Sequence, residues 1–153
     1  MTQPMTHPMT RNLLLASALL LAACGAPDAD ADTDAALSAV EFSSAVLRPP
    51  APGRDVGAGY FTLQSPSAKT VVGARSEEAD AVELHTVRRE GGVARMQRVD
   101  SFEVGPGAPL TLEPGGNHLM LFGLSEAEAG DGVEVVVEFG DGTEERVTLL
   151  PLE

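Results

Sequence analysis

The residues after position 37 fall into short runs rich in Val, Leu, Phe and Thr, separated by clusters of Gly, Pro, Asp and Ser. These runs lack the apolar period of a long helix, and their length and punctuation are typical of β-strands. The candidate strands are 39–47, 59–64, 70–75, 81–87, 94–99, 110–113, 117–122, 133–139 and 145–150. Several short strands at this spacing predict one domain over residues 37–153, an all-β antiparallel sandwich.

Turn residues support this division of the chain. Gly and Pro recur in the segments 90–92, 105–107, 114–116 and 140–142, where they allow positive φ or preset a bend. One short helical turn is predicted at 125–129, with Ser125 as its cap.

The amino terminus has the features of a secretion signal. Arg11 and Asn12 precede an apolar run over 13–23 that is too short for the roughly 20 residues of a membrane-spanning helix. The run ends in Leu21-Ala22-Ala23-Cys24, which resembles the lipobox of bacterial lipoproteins. We therefore predict a signal peptide over 1–23 and lipidation of Cys24; translation from Met5 or Met9 would serve equally well.

Residues 24–36 are predicted to form a flexible tether between the lipid anchor and the domain. Alternating Ala and Asp provide no large apolar side chain, so this segment is expected to stay disordered. The resulting protein is extracytoplasmic, in the periplasm or at the outer cell surface, and meets the membrane through its lipid anchor only. The formal net charge of −13 makes nucleic acid an unsuitable partner.

Cys24 is the only cysteine of the chain. The domain that follows it therefore has no internal disulfide, no thiol nucleophile and no thiolate metal ligand. This also excludes a blue-copper centre, which requires a cysteine thiolate. No Ser-His-Asp pattern is specified either, so we expect a protein that is not an enzyme.

All the histidines and methionines beyond the signal segment lie between positions 85 and 120. They are His85, Met96, His118 and Met120. A hairpin centred between Glu90 and Gly91 places His85 directly opposite Met96, and His118 and Met120 share one face of their strand. We therefore expect the two pairs to converge on one site.

Two imidazoles and two thioethers form a soft, neutral ligand set. Such donors suit Cu(I), whereas calcium and magnesium prefer oxygen ligands and structural zinc more commonly takes thiolates. Taken singly, either methionine is equally well a gap-filling core residue, and either histidine a hydrogen-bonded one. The grouping of all four favours a metal site.

The spacing His85, ten residues, Met96, twenty-one residues, His118-Leu119-Met120 matches the signature of PCu(A)C-type periplasmic copper chaperones. Further similarity lies in Val82-Glu83-Leu84-His85, in the segment from Glu113 to Leu121, in Arg48-Pro49 and in Ala58-Gly59-Tyr60-Phe61. The resemblance implies a cupredoxin-like sandwich that carries Cu(I) on His85, Met96, His118 and Met120. It also implies delivery to an acceptor such as the CuA domain of cytochrome c oxidase.

Two departures from the family bear on a second, copper(II) site. Thr86 and Val87 follow His85 where some members have a further methionine, and no Met/His-rich tail follows Leu150. Both departures put a second site in doubt, and the sequence leaves copper(II) binding open. The alternatives to a chaperone are a copper-sequestering lipoprotein and a metal-free envelope interaction lipoprotein. Arg88, Arg89, Arg95 and Arg98 on the proposed hairpin are either a docking surface or plain solvent-facing residues.

Overall fold

The structure, a computed structural model, describes residues 39–152. The predicted signal peptide, Cys24 and the tether lie outside the described residues. Within them, no helix combines the length and apolar character needed to cross a membrane.

Ten strands and one short helix make up the described chain. They are β1 (Glu41–Arg48), β2 (Val56–Gln64), β3 (Lys69–Arg75), β4 (Ala81–Glu90), β5 (Val93–Arg98), β6 (Phe102–Val104), β7 (Leu110–Leu112), β8 (His118–Phe122), α1 (Glu126–Gly130), β9 (Val133–Phe139) and β10 (Glu144–Pro151). Nine of them correspond to the predicted strands, and β6 was missed because its three residues are too short to show alternation.

The strands hydrogen-bond in the order β5-β4-β8-β2-β1-β10-β9-β3-β6, and β7 adds to β2. A further pairing of β3 with β4, at Ala74 and Val82, links the two halves of this order into a closed path. All pairings between these strands are antiparallel except β1 with β10. The predicted all-β, cupredoxin-like sandwich is confirmed, with the addition of this one parallel pair.

One apolar core lies between the two halves of the sheet. Leu84 on β4, Leu119 and Leu121 on β8, and Val135 and Val137 on β9 are all buried in it. Because side chains alternate along a strand, the residues next to these leucines on β4 and β8 project from the opposite face. Those residues include His85, His118 and Met120.

The predicted helical turn forms with a complete capping box. The Ser125 hydroxyl accepts a hydrogen bond from the Glu128 amide (3.2 Å), and the Glu128 carboxylate accepts one from the Ser125 amide (3.0 Å). This reciprocal pair satisfies two donors that a helix start otherwise leaves free.

Candidate metal centre

The register between β4 and β8 places His85 directly opposite His118. Their ring centroids are 5.8 Å apart. Met120 lies two residues beyond His118 and therefore on the same face, opposite Glu83. The predicted meeting of the two strand segments is thus present in the fold.

Met96 reaches the same face from β5, although the predicted pairing of this hairpin was wrong by two residues, because the turn lies one position later in the chain. His85 is opposite Arg98, and Met96 is opposite Val87. The turn residues are Gly91 and Gly92, with φ of 57° and 80°, rather than Glu90 and Gly91. A two-residue turn with positive φ at both central positions favours the glycine pair, which moves the register. Met96 becomes a diagonal neighbour of His85 and keeps its predicted face.

Each imidazole has one hydrogen-bonded nitrogen. In His85, Nε2 donates to Oε2 of Glu83 at 2.8 Å, and the second Glu83 oxygen accepts from Arg98 at 3.1 Å. In His118, Nδ1 donates to the Gly116 carbonyl oxygen at 3.1 Å. A carboxylate and a carbonyl only accept, so they fix the N–H on these two nitrogens.

The other two nitrogens, Nδ1 of His85 and Nε2 of His118, are buried and have no hydrogen-bond partner within residues 39–152. A buried polar atom without a partner is costly, and such atoms call for a functional explanation. Metal-bound histidines commonly donate their other N–H to a carboxylate or a backbone carbonyl, which is the arrangement of both rings here. The two free lone pairs therefore fit a metal ion.

The Glu83 carboxylate is held in its charged form. The hydrogen bond from His85, with a smaller contribution from the charge of Arg98, lowers the pKa of Glu83, against the partial burial that raises it. The charged Glu83 carboxylate accepts the hydrogen bond from His85. Sequence reasoning noted Glu83 only within a family match; its place two residues before His85, on the same face of the strand, is the signal that could have identified it.

A cavity of about 630 Å³ opens beside His118. Met96, His118 and Met120 line it together with Tyr60, whose ring centroid is 6.5 Å from that of His118. His118 is 4% exposed, whereas Met96 is 56% exposed on the edge strand. The candidate ligands therefore grade from a buried histidine to an accessible methionine.

The remaining polar chemistry near the site is structural. Thr86 donates a hydrogen bond to the Asn117 side-chain oxygen at 2.8 Å, which ties together the residues that follow His85 and precede His118. In the described part of the chain, no three His, Cys, Asp or Glu side chains group in a way that could hold a metal. A metal ion bound here would rely on the methionine sulfurs as well as the imidazoles.

Solved structures of the PCuAC class share this fold. The solution structure of CuI-DR1885 from Deinococcus radiodurans is 28% identical, with a TM-score of 0.59 over 82% of this chain and 85% of that one. The apo-DR1885 structure is 25% identical, with a TM-score of 0.57 over 97% of both chains. The copper-bound PCuAC domain from PmoF2 is 20% identical, with a TM-score of 0.59 over 76% of this chain and 94% of that domain, and shows the fold alone. The predicted resemblance to PCuAC domains is confirmed.

Within this class, residues 40–151 match the family described as "Putative lipoprotein LpqE-like". The chain belongs to this LpqE-like family. It is 34% identical over 106 residues to the "Putative lipoprotein Lxx21020" of Leifsonia xyli subsp. xyli, an alignment that covers 68% of this chain. The chain spans about 64% of the length of that relative.

Proposed function

We propose that this protein is an extracytoplasmic Cu(I) carrier and not an enzyme. Cu(I) is bound by Nδ1 of His85, Nε2 of His118 and the sulfurs of Met96 and Met120. The observation that carries this proposal is the pair of buried, unpartnered imidazole nitrogens on the face that also bears both thioethers. This donor set is soft and uncharged, which suits Cu(I).

Release to an acceptor follows from the unequal exposure of the ligands. Met96 lies on an edge strand in which every residue is exposed, so a ligand of the partner can replace its sulfur first. The buried His118 remains bound until later in the exchange. The thioethers also do not form disulfides, which keeps such a site usable in an oxidising compartment.

The acceptor that the PCuAC resemblance implies is the CuA domain of cytochrome c oxidase. Cys24, at the end of the signal-like segment, would carry the lipid that holds the protein at the membrane. The family description and the name of the Leifsonia relative, both of which refer to a lipoprotein, support this anchoring.

The test is a titration of the protein with Cu(I) against a competing chromophoric chelator, beside His118→Ala and Met96→Ala. One equivalent bound by the wild type, and weaker binding by both variants, is the expected result. Equal binding by all three proteins would refute the site, and no specific binding by the wild type would leave a metal-free interaction role. Tight binding by the wild type without transfer to a CuA domain would indicate sequestration instead.

A further inference from the structure

The positive charges of the described chain divide into paired and unpaired groups. Ten Lys and Arg occur in the sequence, and Arg11 lies outside the described residues, which leaves nine. Four of the nine form ion pairs: Lys69, Arg75, Arg98 and Arg146. Five form no ion pair with any described residue and are exposed: Arg48, Arg54, Arg88, Arg89 and Arg95. Three of these, Arg48, Arg54 and Arg89, are together called the basic rim.

The basic rim lies beside the candidate copper site. Arg48 and Arg54 line the cavity that Met96, His118 and Met120 also line. Nη2 of Arg89 lies 3.7 Å from the point that a β-carbon would occupy if one were added to Gly115. Gly115 is part of the same cavity wall.

Arg88 and Arg95 lie on the hairpin that carries Met96, directly opposite each other on β4 and β5. Met96 is opposite Val87, one position away on each strand, so the Arg88 and Arg95 side chains project from the other face of the hairpin. They are therefore not part of the basic rim. Arg89 is two residues beyond Val87 and shares its face, which agrees with its position beside Gly115.

We propose that the basic rim docks an acidic surface of the copper-accepting protein and brings it over Met96. This inference rests on the proposed carrier function and specifies its partner. Complementary charge around a transfer site raises the encounter rate and orients the partner. Asp55 is the one acidic residue among the described residues of the cavity wall, so the rim remains positive there.

An acidic protein fits this surface better than an anionic membrane. A bilayer held by the basic rim would cover the cavity and Met96, which are the route by which the cargo leaves. A protein partner held there would instead present its own ligands to the accessible thioether.

The experiment is a titration of the wild-type protein with a short poly-glutamate peptide, and binding is measured from the amide NMR shifts of the protein. Shifts are expected at residues 48–55 and around Arg89 and Gly115, and raised salt should weaken them, because exposed charges are screened. The variant Arg54→Gln/Arg89→Gln is expected to bind the peptide several-fold more weakly. Arg75→Gln/Arg146→Gln removes the same charge elsewhere and is expected to bind like the wild type.

Equal weakening in the two double variants, or shifts outside the basic rim, would overturn the proposal. So would binding through these arginines to phosphatidylglycerol vesicles without binding to the peptide, because the surface would then face a membrane. Cu(I) affinity is measured in parallel and is expected to be unchanged in both double variants. Peptide binding by a wild type that does not bind Cu(I) would refute the carrier function and with it the copper-accepting nature of the partner.

Discussion

His85 and His118 lie directly opposite each other on neighbouring strands, and each donates one ring N–H to an acceptor two residues before it. For His85 the acceptor is the Glu83 carboxylate, and for His118 it is the Gly116 carbonyl. The two rings are thereby oriented without a metal ion. Their free nitrogens are part of a site that the fold itself prepares.

The sulfur atoms, rather than the volume, of the two methionines should determine copper binding. Met96→Leu and Met120→Leu keep nearly the same volume, so the unfolding free energy should change by less than about 1.5 kcal/mol. Each should weaken Cu(I) binding by about tenfold or more, or about 1.4 kcal/mol. Chelator competition and urea denaturation measure the two effects. Val93→Leu on the same edge strand is the control, and an unchanged affinity in both Met variants would exclude thioether ligation.

Glu83→Gln should weaken Cu(I) binding by roughly 10–100-fold, the usual effect of losing a group that orients a ligand. The amide is a poorer acceptor than the carboxylate, so the proton of His85 should no longer be confined to Nε2. Nitrogen NMR of the imidazole reports this change, which a general loss of stability would not produce. Glu134→Gln removes a carboxylate from the Arg146 ion pair, away from the site, and should leave both readouts as in the wild type.

Copper affinity should fall as the pH is lowered, because a histidine must be neutral to bind a metal ion. Protons and Cu(I) compete for the same lone pairs, so acid favours the metal-free protein. Competition titrations from pH 8 to pH 5 measure the effect, and His118→Ala should show a shallower dependence than the wild type. A flat profile in the wild type would contradict imidazole ligation.

The ion pair between Lys69 and Asp141 should make folding stability depend on pH. Hydrogen bonds from Lys69 and from the hydroxyl and amide of Thr143 lower the pKa of Asp141 far below its usual range. A carboxyl with a depressed folded pKa stabilises the protein above its unfolded pKa of about 3.9, and this contribution is lost as the pH falls towards the folded value. Asp141→Asn should therefore lower Tm at pH 7, and the difference should shrink progressively below about pH 4.

The matched control for Asp141→Asn is Glu145→Gln. Glu145 is exposed and forms no ion pair with a described residue, so its removal should leave Tm nearly unchanged at both pH values. A difference between wild type and Asp141→Asn that stays constant with pH would assign the effect to packing rather than to charge.

The strands and the four candidate ligands were accessible to sequence reasoning because both depend on residue type and spacing. Period-two patterning placed Leu119 and Leu121 in the core and hence His118 and Met120 on the other face. The orienting contact from the Gly116 carbonyl was not accessible, because a backbone atom leaves no mark in the sequence. The hairpin register also required turn geometry, since Gly91-Gly92 and Glu90-Gly91 are both plausible from composition and only the first fits positive φ at both positions.

The glycine pair should therefore control copper binding through the position of Met96. An alanine at Gly92, where φ is 80°, costs roughly 1–2 kcal/mol in the hairpin. Because all of β5 is exposed, this cost should loosen the hairpin with little effect on the urea midpoint of the domain, and Cu(I) affinity should fall several-fold.

Gly91→Asn should retain affinity, because Asn tolerates the left-handed region. Gly142→Ala is the converse control: its φ is 82° in the turn between the core strands β9 and β10, so it should lower the urea midpoint without changing Cu(I) affinity. Unchanged copper binding in Gly92→Ala would mean that the hairpin does not hold Met96 at the site.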